Sequence, residues 1–557
     1  MPDAVQHVLF PGRLHLLTAF QAEYLERVAS GEVMTDDSGA ELTAAGATVH
    51  VAITSWDHGA TRRNPIPGHR REAIVERLAL TAELECCSWP VPDVPTSERF
   101  ASYVLESIAA AGGPRLEPGS CVVACSTPQV SQQYRDLGFR ILPVELGAAQ
   151  EAGDDDPARP WDVLEQLVAE ESLEQAGRRM HPAALDVWRR YDLLDRVLRA
   201  HADPLLTDEG NITDTRDYAT YAAAFDSGAS RKWATLAPHV RPGRIVDVGC
   251  GAGSLLAEAA ADPRLGESDL YGIEATRSLH DECVHRKAAG AFANPNTFFY
   301  QRNIMAEQLF DAGSIDTTIS TALTHELYSY LDEAALRAFI DRIYAQTTHG
   351  GVWLNLDVCG PLDGDQFVWI EPRANVTVTG EPLPRSRRQL DVGAAGVPIP
   401  VDLAAMERDE VESLLPQLTS LEGFAQFAHD WYGDAHWRLV PAPSGADAGN
   451  GPWIETSLRT AMDWLSKKDY PDNWLSEMHE QFCFWDERDW ARAIEAAGFE
   501  LLPGSGGTTN PWLVEHRFES TVTLHPAGEP DATVPWPHTH VLLACHRPRR
   551  PCDSLMV

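Results

Sequence analysis

The chain is short of positive charge. Lys and Arg number 45 against 82 Asp and Glu, a formal net charge of −37. Nucleic acids and anionic membranes are held by clustered cations, so neither an extended nucleic acid nor a membrane is expected as partner, and only a local basic pocket stays open. Cysteine is sparse too: ten in 557 residues, none in a C-x-x-C pair. That argues against a disulfide framework and for a reducing, cytoplasmic compartment. No run reaches the roughly 18 apolar residues of a membrane helix. The opening MPDAVQHVLFPGRLHLL lacks the charged and apolar regions of a secretory leader. Internal repeats are missing as well. With 44% hydrophobic residues the chain nevertheless has ample core material, and at roughly 150 residues per domain it has room for about three or four domain equivalents, read as two or three domains with insertions.

Short apolar runs alternate with helical patterns in two series. The first contains HVLF (7–10), TVHVAI (48–53), VVAC (122–125) and RILPVEL (140–146). The second contains RIVDVGCGAGSLL (244–256), DLYGIEAT (269–276), SIDTTIST (314–321) and GGVWLNLDV (350–358), then AAGFELL (496–502), ESTVTL (519–524) and HVLLACH (540–546). Strands alternating with helices imply parallel βαβ units. The expected fold class is therefore α/β, with two doubly wound domains. EAGDDDPARP (151–160) has little to bury and reads as a linker, and the regular pattern breaks between about 360 and 480, where an insertion is expected. Eight of sixteen tryptophans lie between Trp431 and Trp512; cleft lining and core packing both suit them.

The loop in the second series carries the chemistry. An apolar strand runs into Gly249, Gly251 and Gly253 and then a helical pattern, and Glu274 follows 21 positions after Gly253 at the end of the next strand. Glycines permit a tight turn and close ligand approach to backbone N–H groups; an acid at the next strand end accepts from a ribose. With Asp247 inside the first strand, the order Asp-x-Gly-x-Gly-x-Gly resembles motif I of class I S-adenosylmethionine-dependent methyltransferases. The resemblance runs over about 300 residues, through AAGFELL, ESTVTL and HVLLACH, which resemble the family's closing strands. It implies S-adenosyl-L-methionine as cofactor, with Asp247 and the glycines around the methionine part and Glu274 on the ribose. Asn303 stands where the family often has an adenine-contacting Asp. The segment 212–233, with Arg216, Tyr218, Tyr221, Arg231 and Lys232, resembles the family's N-terminal lid, so Tyr221 joins the cofactor-binding candidates.

In that fold the methyl acceptor sits beyond the fourth and fifth strands. SIDTTIST runs into ALTHELYSYL (322–331), so Thr324, His325, Glu326, Tyr328 and Tyr330 are candidate lining residues. His325 is the expected general base, since its ordinary pKa near 6.5 allows proton acceptance around neutrality, with Glu326 beside it as orienter or cation binder. The two equally suit the start of a packing helix. Asp357 ends the fifth strand and reaches the same cleft; a metal set of Asp357, His325 and Glu326 is an alternative, but no metal is expected.

FPGRLHLLTAFQAEYLERV (10–28) resembles the first motif of the cytidylyl- and adenylyltransferase superfamily. Gly12, Leu14 and Thr18 keep its outline, while Phe20 replaces a glycine and Gln21 its last histidine. The segment 53–80 with Arg62, Arg63, Asn64 and Pro65, and the segment 122–142 with Ser126 and Thr127, resemble later parts of that fold. Gly12, Arg13, Thr18, Ser126 and Thr127 are the expected nucleotide-binding residues, and Arg62, Arg63, Arg70 and Arg71 a possible basic groove.

The expected organisation is a degenerate nucleotidyltransferase-like domain over 1–148, an acidic linker and helical lid over 149–240, and a class I methyltransferase domain over 241–546. The expected activity is O-methylation of a small-molecule acceptor, with the N-terminal domain binding a nucleotide or nucleotide-linked substrate. Two alternatives stand beside it: a nucleotidyltransferase with a regulatory methyltransferase-like domain, and a non-catalytic sensor of cofactor or nucleotide.

Overall fold

Apolar runs of four to six residues bounded by turns build the first sheet. Its strands are β1 (His7–Gly12), β2 (Thr48–Ile53), β3 (Cys86–Pro90), β4 (Cys121–Ala124) and β5 (Arg140–Leu142), all parallel, in the order β3-β2-β1-β4-β5. This computed structural model describes residues 3–82, 84–94, 97–144, 159–202, 210, 218–305, 308–393, 396–443 and 451–549, with the backbone alone at 3, 218–221, 224 and 225. It divides into two units, Met1–Gly210 and Asn211–Val557. No helix among the described residues is long and apolar enough to cross a membrane.

In the first unit, side chains alternate across the sheet as the strand repeat of two requires: Val8 and Phe10 enter one core, Leu9 the other. The crossovers are α1 (Ala19–Ala29), α2 (Gly68–Thr81), α3 (Phe100–Ala110) and α4 (Pro128–Asp136). Because the chain winds outward from β1 to β3 and then returns to β4, the strand order reverses between β1 and β4. A crevice at their carboxyl ends follows, the usual ligand position in open α/β sheets.

The expected linker and lid over 149–240 needs correction. Helices α5 (Pro160–Glu170), α6 (Pro182–Arg190) and α7 (Leu193–Ala202) place Val163, Leu164, Leu167, Val187, Trp188 and Val197 in the first core. The indole of Trp188 donates to the His15 carbonyl at 3.0 Å. Burying a large side chain contributes about 1.5–3 kcal/mol, so these helices are part of the first unit. Residues 151–158 of the acidic run lie outside the described residues. Helix α8 (Tyr218–Leu236) belongs to the second unit, where Trp233 and Leu236 join a core against the main sheet.

The second unit's strands are β6 (Arg244–Val248), β7 (Asp269–Glu274), β8 (Thr297–Gln301), β9 (Ile315–Thr321), β10 (Thr347–Val358), β11 (Phe367–Pro372), β12 (Trp437–Val440), β13 (Trp453–Ser457), β14 (Glu500–Leu501), β15 (Val522–Pro526) and β16 (His540–His546). The main sheet runs β8-β7-β6-β9-β10-β16-β14, and an eighth short strand, Gly506–Thr508, also pairs antiparallel with β16. It is parallel from β8 to β10, while β16 is antiparallel to β10 and β14 antiparallel to β16. Its two faces bury separate cores.

The insertion is a subdomain with its own antiparallel sheet, β12-β13-β11-β15, and its own core around Phe424, Phe427 and Trp464. One expectation fails here. ESTVTL does not close the main sheet: β15 pairs with β11 of the insertion, because Val522 and Leu524 are buried in that second core. The tryptophan run is also resolved: Trp431, Trp453, Trp464, Trp474, Trp485 and Trp490 are buried core residues, whereas Trp512 is half exposed.

Candidate functional site

At the carboxyl end of β6 the chain turns through Gly249, Gly251 and Gly253, all at positive φ (68°, 55° and 79°), into helix α9 (Ser254–Ala261). An L side chain is strained there, and a Cβ on Gly249 would lie 2.9 Å from Leu323 Cδ1. At Gly251 a Cβ would meet nothing within 4 Å among the described residues, so that face of the loop is open to them. Two carboxylates converge behind it. Asp247 is 1% exposed, and its Oδ1 has no hydrogen-bond partner among the described residues. Burial pushes its pKa up to about 8, with Lys232 opposing and Glu274 reinforcing the rise. Glu274 accepts the Gly251 N–H at 2.9 Å and the Thr276 N–H at 2.8 Å. Burial raises its pKa to about 7 against those bonds. A carboxylate has about four acceptor positions, so capacity remains for a diol.

The other cofactor candidates are placed differently. Asn303 follows β8 and accepts the Met305 N–H at 2.8 Å, which ties its Oδ1 to its own loop. Tyr221 lies in α8, but its side chain and that of Tyr218 are outside those described, as is Arg216. Lys232 of the same helix is half-buried; desolvation lowers its pKa, while the charges of Asp357 and Asp247 raise it.

Strand order also reverses between β6 and β9, and the loop leaving β9 builds the second half of the site. Ala322 takes φ 51°, then α10 (Thr324–Tyr330) begins. Its first amides converge on one carboxylate: Asp357 Oδ2 accepts from Leu323 N (3.1 Å), Thr324 N (2.6 Å) and Thr324 Oγ1 (2.6 Å). Asp357 Oδ1 holds His325 Nδ1 at 2.6 Å. On the other side of the ring, His325 Nε2 lies 3.2 Å from Glu480 Oε2. Burial alone would lower the His325 pKa; Asp357 and Glu480 override it and hold it well above 6.5. Asp357, despite burial, is held at about 2 by His325. His325 therefore carries its proton here. The expectation of a base with an ordinary pKa is corrected: the imidazole is clamped between two carboxylates.

Glu326 is buried at 8% exposure, and ligand atoms of His325, Glu326 and Glu480 lie within 4.8 Å of one another. Tyr328 stacks on Phe484, and Tyr330 Oη is 3.4 Å from Glu480 Oε1. His325, Glu326 and Glu480 border a cavity of about 820 Å³ whose walls also include Lys232, Trp512 and His540, whereas the expected lining residues Thr324, Tyr328 and Tyr330 do not line it. That volume is within the usual range for small-molecule sites. Sequence reasoning missed Glu480. It comes from the insertion, 155 positions after His325, and no spacing rule connects them.

In the first unit, Gly12, Arg13, Ser126 and Thr127 border a cavity of about 280 Å³ at the carboxyl ends of β1 and β4, together with His15 and Gln21. Thr18 instead caps α1: its Oγ1 accepts the Gln21 N–H at 3.1 Å, and Gln21 Oε1 accepts the Thr18 N–H at 3.3 Å. Gln21, in the place of the expected motif's histidine, is thus engaged in a capping box. Arg13, Arg62 and Arg63 line a neighbouring cavity of about 180 Å³ with Trp161 and His201. Arg71 does not join any groove. It is fully buried and donates to the carbonyls of Arg13, Thr54, Ser55 and His58. Arg70 lies over the Tyr191 ring at 3.6 Å.

No family model and no curated protein matches the chain. Among solved structures, geranyl diphosphate C-methyltransferase from Streptomyces coelicolor A3(2), in complex with Mg2+, geranyl diphosphate and S-adenosyl-L-homocysteine, is 12% identical, covering 62% of this chain and 89% of that one at a TM-score of 0.29. For the same enzyme with geranyl-S-thiolodiphosphate, identity is 20% over 24% of this chain, TM-score 0.20, and the match spans less than half of that chain (44%). A S-adenosylmethionine-dependent methyltransferase from Clostridium acetobutylicum ATCC 824 is 9% identical, covering 59% and 99% of the two chains at a TM-score of 0.28.

Proposed function

We propose that the second unit is a S-adenosylmethionine-dependent methyltransferase acting on an oxygen of a small molecule held in the 820 Å³ cavity. The observation that carries this reading is the buried Asp247 carboxylate with an unpartnered oxygen, beside a glycine turn open at Gly251 and one strand from Glu274. An unpartnered buried polar atom is costly, and a bound cationic or hydrogen-bonding group would relieve it. S-adenosylmethionine fits this donor set, with Asp247 and the loop at its amino-acid part and Glu274 at its ribose. When bound it supplies an electrophilic methyl group.

The chain's own residues position the acceptor and receive its proton. His325 is fixed by Asp357, and its other face meets Glu480. An acceptor hydroxyl entering beside Glu326 and Glu480 finds buried carboxylates able to take its proton, with the His325 imidazolium compensating their charge. The insertion supplies Glu480, Phe482 and Trp512 to the cavity wall, so it sets which acceptor fits.

The first unit is read as a binding module for a nucleotide or nucleotide-bearing ligand, supported by the crevice at the β1/β4 reversal and by Arg13 at both cavities. Gln21's role in its own helix cap favours binding over transfer.

Calorimetry with S-adenosylmethionine and S-adenosylhomocysteine tests the main reading. Wild type should bind both at micromolar concentrations, and Asp247→Ala and Glu274→Ala should each lose binding. A folded wild type that gives no heat removes the assignment.

A further inference from the structure

We infer that His325, Glu326 and Glu480 form a binding site for one divalent first-row cation in the wall of the second unit's cavity. The three side chains come from two distant parts of the chain, and their ligand atoms lie within 4.8 Å of one another. Donors about 2.1 Å from an ion stand roughly 3 to 4.2 Å apart. The His325 Nε2 to Glu480 Oε2 separation of 3.2 Å already meets this, and the 4.8 Å bound on the remaining pairs exceeds the upper limit by about 0.6 Å at most.

The arrangement behind the imidazole points the same way. Asp357 holds Nδ1 at 2.6 Å and leaves Nε2 to Glu480, 3.2 Å away. A carboxylate on the far nitrogen is the usual support of a metal-bound histidine, because it fixes the tautomer and ring orientation. Asp357 is itself fixed by the amides of Leu323 and Thr324 and by the Thr324 hydroxyl, so the ring is preorganised. Asp357, Glu326 and Glu480 are all buried beside the imidazole, and buried carboxylates favour a cation among them. One imidazole and two carboxylates suit Mn2+, Fe2+ or Zn2+ better than Ca2+.

Binding exchanges the proton shared between Nε2 and Glu480 for the metal ion, and the proton leaves to solvent. What the ion then does rests on the methyl-transfer reading: it takes the acceptor oxygen as a further ligand and lowers the hydroxyl's pKa. Whether it binds does not rest on that reading.

The test uses the full chain, stripped with a chelator and dialysed. Mn2+ is titrated by electron paramagnetic resonance and Zn2+ by calorimetry, with thermal melting to confirm that each variant is folded. Wild type should bind one ion per chain at about 10 μM or tighter. Glu480→Gln, Glu326→Gln and His325→Gln should each weaken binding more than tenfold, and Asp357→Asn by about 10–100-fold through the ring it supports. A folded wild type that binds neither ion stoichiometrically overturns the site, as does equal affinity in Glu480→Gln and Glu326→Gln. Calorimetry with S-adenosylmethionine on the same samples separates the two claims: ion binding without cofactor binding sinks methyl transfer and leaves the metal site standing, and cofactor binding without ion binding does the reverse.

Discussion

Replacing Asp247 by Asn removes a charge while keeping shape, and the burial of this residue makes the effect depend on pH in a calculable way. With its pKa raised to about 8, the carboxyl of the unliganded protein is about 1% ionised at pH 6 and about 90% ionised at pH 9. A hydrogen bond to a charged group contributes roughly 1.5–3 kcal/mol; at about 2.7 kcal/mol the ionised form binds about 100-fold more tightly than the neutral one. Asn stands in for the neutral form. The ratio of dissociation constants, Asp247→Asn over wild type, should therefore be about 100 at pH 9 and fall to about 2 at pH 6. Using the ratio cancels the titration of the cofactor's own amine. Calorimetric titration of S-adenosylhomocysteine into both proteins at half-unit pH steps gives the curve. The sign for stability is opposite: a carboxyl whose folded pKa is raised costs stability above its unfolded pKa, so the unliganded second unit of Asp247→Asn should be more stable than wild type, by more at pH 9 than at pH 5. A ratio that stays constant from pH 6 to pH 9 would refute both the buried titration and the contact.

Three further outcomes are expected. Asp357→Asn sets an amide N–H against donors now satisfied by Asp357 and takes from His325 the carboxylate on its Nδ1 side, so it should destabilise the second unit by about 3–5 kcal/mol, read by hydrogen exchange in peptides from β9 and β10. Because the Asp357 pKa is held at about 2, its contribution is present above pH ~3.8 and lost as pH falls through 2; a variant with wild-type exchange at pH 7 contradicts the clamp. Gly249→Ala should cost about 1–3 kcal/mol through its positive φ and the Leu323 contact, measured in the same peptides. Arg71→Met leaves four backbone carbonyls without their donor; the first unit should lose about 3 kcal/mol or more, and thermal melting that shows no loss would remove Arg71 as its tie.

The glycine turn and its two flanking acids were legible because they are local. Asp247, three glycines and Glu274 lie on consecutive strands, and the chemistry of a tight turn shows directly in residue types. The parallel order of both sheets followed likewise from apolar runs alternating with helical ones. Other expectations failed where packing at a distance decides. ESTVTL is apolar and alternating, which suits either sheet; only the depth of Val522 and Leu524 in the second core assigns it to the insertion. The helices of 160–202 resemble a connecting segment in sequence, and their membership in the first unit depends on Trp188 and its neighbours finding that core. Arg71 looked like surface charge and is a buried donor.

Sequence alone determined the loop, its acids and the strand pattern, since backbone conformation and burial period are written in neighbouring residues. The tertiary structure alone decided the state of His325. A histidine near neutrality is a base by its own pKa, but Asp357, 32 positions onward, and Glu480, 155 positions onward, hold its proton from either side. Electrostatic energy depends on distance in space and on the loss of water around the group, and only the folded chain sets these.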